Sequence, residues 1–334
     1  MAKLNVCVLF GGMGLTHSKS AYSAQAVLNN LDREKYNIFP VGITREGAWY
    51  LYGGTDYSQL PSGEWLNCPE NRKAAISPIH GQGLLVFEGD CTQRELIEIV
   101  FPVLHDEDGA VQGLLQLAGI PYVGPNVSAS IVVTDNIMTK LMADNAGVEQ
   151  ADWQLIRSNE IINHMQQVVV RLEEKFRYPM MIKSVFAAKA TDRESLMNAL
   201  THAVKSKSKI LVEEFIQGSE ITVAVMGNDN PVASVCGEID TSENTYVDIP
   251  ARISEEMEEF IREQAVKIYT EIGCQGLICV DFIVTEEDRR VLFNRLNTRP
   301  GFTSDSIYSK LFSASGISYD ELIDNMLQQS GGII

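Results

Sequence analysis

The chain has 334 residues, long enough for two or three modules that each bury a core. Its 27 Lys and Arg against 44 Asp and Glu give a formal charge of −17, a field that disfavours nucleic acid and anionic membrane surfaces as partners while leaving small molecules with local basic sockets open. No apolar run approaches the roughly 20 residues of a spanning helix. Residues 1–5 show no signal-peptide layout. Cys7, Cys68, Cys91, Cys236, Cys274 and Cys279 have neither CxxC nor Cys/His spacing, so zinc is not expected and the thiols read as reduced, in a cytoplasmic protein.

Residues 6–10 form a continuous apolar run closed by Gly11-Gly12, the pattern of a buried strand entering a tight turn. Ala24, Val27, Leu28 and Leu31 follow at helical spacing. A second strand is expected over 36–41, whereas 50–90 is turn-rich and poorly patterned. Strand-like 97–104 and a helical period over 111–118 complete a doubly wound α/β module ending near Gly124-Pro125.

A helix over 136–146 comes next, with Thr134 and Asp135 as cap candidates. The middle of the chain then predicts a strand at 153–156, a helix at 161–176, a strand at 180–183 and a helix at 193–204. A strand pair, 210–216 with 220–226, is expected across Gln217-Gly218. The final third predicts a helix over 255–272, strands over 277–284 and 291–297 joined by a charged turn, and a last helix over 319–328.

Several blocks resemble the D-alanine–D-alanine ligase family, and most its D-alanine–D-serine branch. They are Val8-Leu9-Phe10-Gly11-Gly12, the Glu-Asp-Gly-Ala-Val-Gln-Gly-Leu run at 107–114, and the Leu-Ala-Gly-Ile-Pro-Tyr-Val-Gly run at 117–124. Later come Gly273-Cys274-Gln275-Gly276-Leu277, Val280-Asp281, Asn297-Thr298-Arg299-Pro300-Gly301 and Gly316-Ile317-Ser318-Tyr319, in family order over nearly the whole chain. The resemblance implies an N-terminal doubly wound (pre-ATP-grasp) domain at 1–125. A two-part ATP-grasp fold would follow, with a central lid subdomain at 126–212 and a C-terminal domain at 213–334. It also implies ATP held with Mg²⁺ between the last two parts, D-amino acid substrates and a homodimer. Active members phosphorylate the carboxylate of one D-amino acid, and the amine of a second attacks the acyl phosphate.

Carried over residue by residue, the resemblance gives Lys183 to the ATP phosphates, where a compact ammonium suits the task. A surface lysine at a strand end is the plain alternative. Glu213, Glu214, Phe215 and Ile216 match the hinge that reads adenine and ribose, and Glu220 a further nucleotide-side acid, although an edge-strand acidic cluster explains them equally. Asp281 and Asn297 match Mg²⁺ ligands, a sensible but sparse oxygen set; Asn297 is also a good turn former. Ser306 and Gly301 fall at substrate positions, and Ser306 equally suits a helix cap. His17 is a catalytic candidate that could as well cap or pack.

Other positions depart from the family pattern. Ser18 and Lys19 stand where an acid would orient the substrate amine, and Asn136 where a second lysine would reach the phosphates. The loop at 105–109 is shortened. After Lys183 the run Ser184-Val185-Phe186-Ala187-Ala188-Lys189 offers no glycine for a phosphate nest. The lid is cut to residues 239–249, with Tyr246 its only aromatic. Cys279 replaces an arginine that would stabilise the tetrahedral intermediate, a loss worth about 10²–10³ in rate.

Arg295 replaces the metal-bridging glutamate two residues before Asn297; residues two apart on a strand share a face. Arg295 therefore either inverts the charge of the cation site or takes over from a magnesium by pairing with Asp281 and a phosphate. Lys189, Lys19 and Arg299 are the basic residues placed to rebuild a phosphate socket. The leading expectation is a ligase-like protein with eroded catalytic loops, non-catalytic or weakly nucleotide-binding. The alternative is an active ATP- and Mg²⁺-dependent D-alanine–D-alanine or D-alanine–D-serine ligase serving peptidoglycan precursor synthesis.

Overall fold

The computed structural model describes residues 3–104, 109–184, 187–205, 208–240, 246–297 and 300–330. Its first sheet starts from the buried N-terminal run: β1 (Leu4–Gly11), α1 (His17–Asn30) and β2 (Tyr36–Ile43), with β1 and β2 parallel. Gly11 has φ +93°, and a Cβ there would lie 2.1 Å from the Ile43 carbonyl oxygen, so this turn requires glycine. β3 (Trp49–Leu51), α2 (Gln59–Ser62), β4 (Arg72–Ile76), β5 (Leu84–Glu88) and β6 (Cys91–Glu95) follow, their strands meandering antiparallel away from β2. β7 (Ile99–Pro102) returns to the far side of β1, giving the order β6-β5-β4-β3-β2-β1-β7. Parallel winding is thus confined to β1, β2 and β7. The stretch 50–90 holds strands too short, and too exposed at their ends, to show alternation. α3 (Ala110–Ala118) covers one face, Val111 and Leu115 packing with Cys7, Leu9 and Val100.

α4 (Val127–Thr134) and α5 (Asn136–Asn145) are capped by side chains: Asn126 accepts from Ala129 N at 2.8 Å and Asp135 from Ile137 N at 3.0 Å. Their inner residues Ala129, Val133 and Ala143 pack with Ile221, Val223, Ile278 and Val280 of the last sheet. These two helices thus share the core of the last sheet, while residues from 156 to 212 have a core of their own.

β8 (Trp153–Arg157), α6 (Ser158–Lys175), β9 (Met180–Lys183), β10 (Ala187–Ala190), α7 (Arg193–Ala203) and β11 (Lys209–Glu214) build an antiparallel sheet ordered β10-β9-β11-β8. α6 and α7 supply its apolar cover. The last sheet comprises β12 (Gly218–Gly227), β13 (Val232–Asp240), β14 (Tyr246–Asp248), then, beyond α8 (Glu255–Glu271), β15 (Gly276–Thr285) and β16 (Val291–Asn297), ordered β14-β13-β12-β15-β16. The expected pairing of 210–216 with 220–226 does not occur. β11 has β9 on one edge and β8 on the other, so β12 can only start a new sheet.

α9 (Ile307–Ala314) and α10 (Tyr319–Ser330) join the first and last sheets: Tyr308, Phe312 and Leu322 share a core with Val6, Val8 and Phe10 and with Ala224, Leu277 and Cys279. Two glycine motifs also meet: a Cβ on Gly276, at φ +70°, would lie 2.7 Å from the Gly124 backbone. Among the described residues no helix is long and apolar enough to cross a membrane.

Candidate functional site

Residues 215–217 carry the chain from one antiparallel sheet to the other, and a cavity of about 220 Å³ opens beside this junction. It brings Lys183, Glu213, Glu214, Phe215, Ile216 and Glu220 together. Lys183, the last residue of β9, forms an ion pair with Glu213 and donates to Asn294 Oδ1 at 2.9 Å. The other Glu213 oxygen lies 3.0 Å from Lys140 Nζ, in a charge contact rather than an aligned hydrogen bond. Lys140 is only 2% exposed, and its ammonium also lies 5.8 Å from the Phe293 ring centroid. Burial pulls the Lys140 pKa below its usual 10.5, with Glu213 opposing the shift.

Neither Lys140 nor Asn294 stood out in the sequence. The signal for Lys140 was present: Ile137, Lys140 and Ala143 fall three apart on the inward face of α5. Glu214 accepts from the Asp152 backbone N–H at 3.1 Å, and Lys189, on β10, sits 3.6 Å above the Phe215 ring.

Asp281 on β15 and Arg295 on β16 are register partners, with a bulge after Asp281. Arg295 Nε donates to Asp281 Oδ2 at 2.6 Å and Nη2 to Glu220 Oε1 at 3.0 Å, so one guanidinium ties three strands together. Burial pushes the Glu220 pKa up while Arg295 pulls the other way; the partial desolvation of the exposed Arg295 is outweighed by Asp281 and Glu220, which keep it firmly charged. Cys279 faces Asn297 across the same strands and is buried, which lifts its thiol pKa well above 9.0. Among the described residues no three His, Cys, Asp or Glu side chains converge to hold a metal ion. With Asp281 and Glu220 both engaged by a guanidinium, the donor set does not fit the Mg²⁺ that the resemblance implies.

The link after Lys183 is short. Lys183 pairs opposite Ala187, so residues 184–186 connect β9 to β10; Val185 and Phe186 lie outside the described residues. A neighbouring cavity of about 370 Å³ is lined by Asn136, Lys183, Ser184 and Lys209, and Lys209 Nζ is 2.7 Å from Asp135 Oδ2. In place of a long lid, β13 and β14 form a hairpin with Asp240 opposite Tyr246. Residues 105–108 and 241–245, and Arg299 with Thr298, are outside the described part of the chain.

A second group of candidates lies at the start of α1 and of α9. A Cβ on Gly301 would stand 3.4 Å from Ser306 Cβ and 3.8 Å from Lys19 Cε, so these three are neighbours. Ser306 occupies the N-cap position of α9 without capping it; its hydroxyl donates to the Thr303 carbonyl at 2.7 Å and lies 3.1 Å from Ser309 Oγ. His17 Nδ1 is 2.7 Å from the Gly12 carbonyl oxygen, and Ser18 Oγ accepts from Arg45 at 3.3 Å.

Two antiparallel sheets closing on a cleft, behind a module with a parallel strand core, define the ATP-grasp class of α/β fold. The chain belongs to the D-alanine–D-alanine ligase family: the model described as D-ala D-ala ligase N-terminus matches residues 5–125, and that described as D-ala D-ala ligase C-terminus matches 142–328. It is 40% identical over 358 residues to the D-alanine–D-alanine ligase of Acetivibrio thermocellus, covering 97% of this chain and 95% of that one.

Among solved structures, the VanG D-Ala:D-Ser ligase from Enterococcus faecalis superposes with a TM-score of 0.90 at 30% identity, over 98% of this chain and 100% of the other. The D-alanine–D-alanine ligase from Coxiella burnetii gives 0.88 at 29% identity, over 99% and 95%. This full-length likeness to named ligases favours the working-ligase reading over the non-catalytic one that the substituted positions led us to expect.

Proposed function

We propose that the protein is an ATP-dependent carboxylate–amine ligase that joins D-alanine to a second D-amino acid for peptidoglycan precursor synthesis. The observation that carries this reading is the cavity that gathers Lys183 and residues 213–216 where two antiparallel sheets meet. In this proposal the backbone of 214–216 reads the adenine edge, and Lys183 counters the phosphates. Lys19, Gly301 and Ser306 hold a substrate carboxylate. A carboxylate oxygen of the first D-amino acid attacks the γ-phosphorus, and ADP leaves with the bonding pair. The amine of the second then attacks the acyl carbon, expelling phosphate and losing a proton. The chain's own residues contribute positioning and charge. Unit boundaries near 125/126 and 212/213, and a homodimer, belong to the same proposal.

A specific observation favours a second reading, in which nucleotide binds without phosphoryl transfer: Arg295 fills the space between Asp281 and Glu220, and buried Cys279 offers no charge to an oxyanion. ADP release, measured with ATP, MgCl₂ and D-alanine or D-serine, separates the two. ADP release that requires the D-amino acid supports the ligase. Nucleotide binding with no such release supports the second reading and refutes the first.

A further inference from the structure

The junction cavity carries its own cations before any ligand arrives. Its charged lining consists of Lys140, Lys183 and Arg295 against Glu213, Glu214 and Glu220, with Asp281 behind Arg295 as a fourth carboxylate. A carboxylate cluster that waits for a divalent ion stands uncompensated; here three cations already meet four acids. Arg295 is anchored at two points, by Asp281 at 2.6 Å and by Glu220 at 3.0 Å, which fixes the plane of its guanidinium. Those contacts use two of its five N–H groups, and its side chain is 59% exposed. Lys183 lines the same cavity, so an anion lying there has two cations within the lining. A divalent ion in that position would face a guanidinium at contact range and compete with it for both carboxylates.

We propose that Arg295, held by Asp281 and Glu220, is a resident counter-ion for the polyphosphate of an adenine nucleotide, so that this cleft binds metal-free nucleotide without needing a divalent cation. The inference rests on the cleft being a nucleotide site and adds how its charge is met. The planar fork offers phosphate oxygens fixed, directional donors, and it cannot be stripped by chelation.

The test is calorimetric titration of the full-length protein with ADP and with ATP, once in EDTA and once in excess MgCl₂. The dissociation constants are expected to agree within about threefold. Arg295→Gln is expected to weaken metal-free ADP by about tenfold, the loss of one charge-assisted contact. Arg295→Glu is expected to weaken it at least as much and to make binding depend on MgCl₂. Binding by the unaltered protein that is more than tenfold tighter with MgCl₂ would overturn this inference and leave the nucleotide site standing. An unchanged ADP affinity in a folded Arg295→Gln variant would overturn it as well. No binding in either buffer would overturn the nucleotide site itself, and this inference with it.

Discussion

Lys140 and Glu213 face each other 3.0 Å apart with side chains 2% and 6% exposed, and Lys183 closes on the opposite oxygen of the same carboxylate. One acid thus serves two ammonium groups of very different depth. Removing the acid strands Lys140 in the core, whereas removing Lys140 leaves the acid with Lys183.

The two deletions should therefore be unequal. Glu213→Gln leaves a buried ammonium without its counter-charge and is expected to cost about 3–5 kcal/mol of unfolding free energy. Lys140→Met keeps the volume, retains the Lys183 pair and is expected to cost about 1 kcal/mol or less. Urea unfolding of both variants measures the order; a larger loss for Lys140→Met would show that Glu213 does not depend on Lys183 for its charge balance.

The same pair predicts a pH dependence. Burial is the larger influence on Lys140 and lowers its pKa in the folded state, while the unfolded chain titrates near 10.5. Between those two values the unfolded state binds more protons, so Lys140 contributes stability that rises with pH across that window. Comparing the unaltered protein with Lys140→Met cancels the other titrating groups. The difference in unfolding free energy should climb in favour of the unaltered protein as pH rises towards 10.5 and level off above it. A difference that falls across that range would mean that Glu213 outweighs burial at this site.

How far the sequence could be read depended on whether the cause was local. The run 6–10 with Gly11-Gly12, the helix capped by Asp135 and the strand ending at Lys183 each carry their own signal and stand where expected. The position of Arg295 opposite Asp281 was accessible too, because strand periodicity places 295 and 297 on one face. What local signals could not give was partnership across sheets. Gln217-Gly218 reads as a hairpin until β8 is seen to occupy the edge of β11. Glu220 joins Arg295 only because β12 lies beside β15, and Lys140 meets Glu213 because α5 docks on the last sheet rather than on its neighbour in sequence.

Thiol accessibility offers an independent check of the cores. All six cysteines are free: Cys91 is exposed, Cys68 is half-buried, and Cys7, Cys236, Cys274 and Cys279 are buried. Burial pushes Cys7, Cys236 and Cys274 up to about 12, so none of them presents a thiolate at neutral pH. The Cys68 thiol donates to Glu70 at 3.1 Å, which raises its pKa as well. With an aromatic disulfide reagent at pH 7.5, Cys91 should react first and Cys68 slowly, and the other four only in denaturant. Rapid labelling of Cys279 in the folded protein would contradict its burial in the core it shares with Tyr308.

Lys183 allows binding to be separated from stability at the cleft itself. It lines both cavities, it is 17% exposed, and its removal leaves Glu213 still compensated by Lys140. Lys183→Met is therefore expected to weaken ADP by about tenfold, the loss of one charge-assisted contact to phosphate, while lowering unfolding free energy by only about 1 kcal/mol. Calorimetry and urea unfolding on the same preparation read the two quantities. Equal losses would make Lys183 a structural ion-pair partner, the plain strand-end lysine, because a side chain whose work is done within the fold cannot change binding without changing stability. A tenfold weakening at nearly full stability fits only an ammonium whose remaining donor is turned to the ligand.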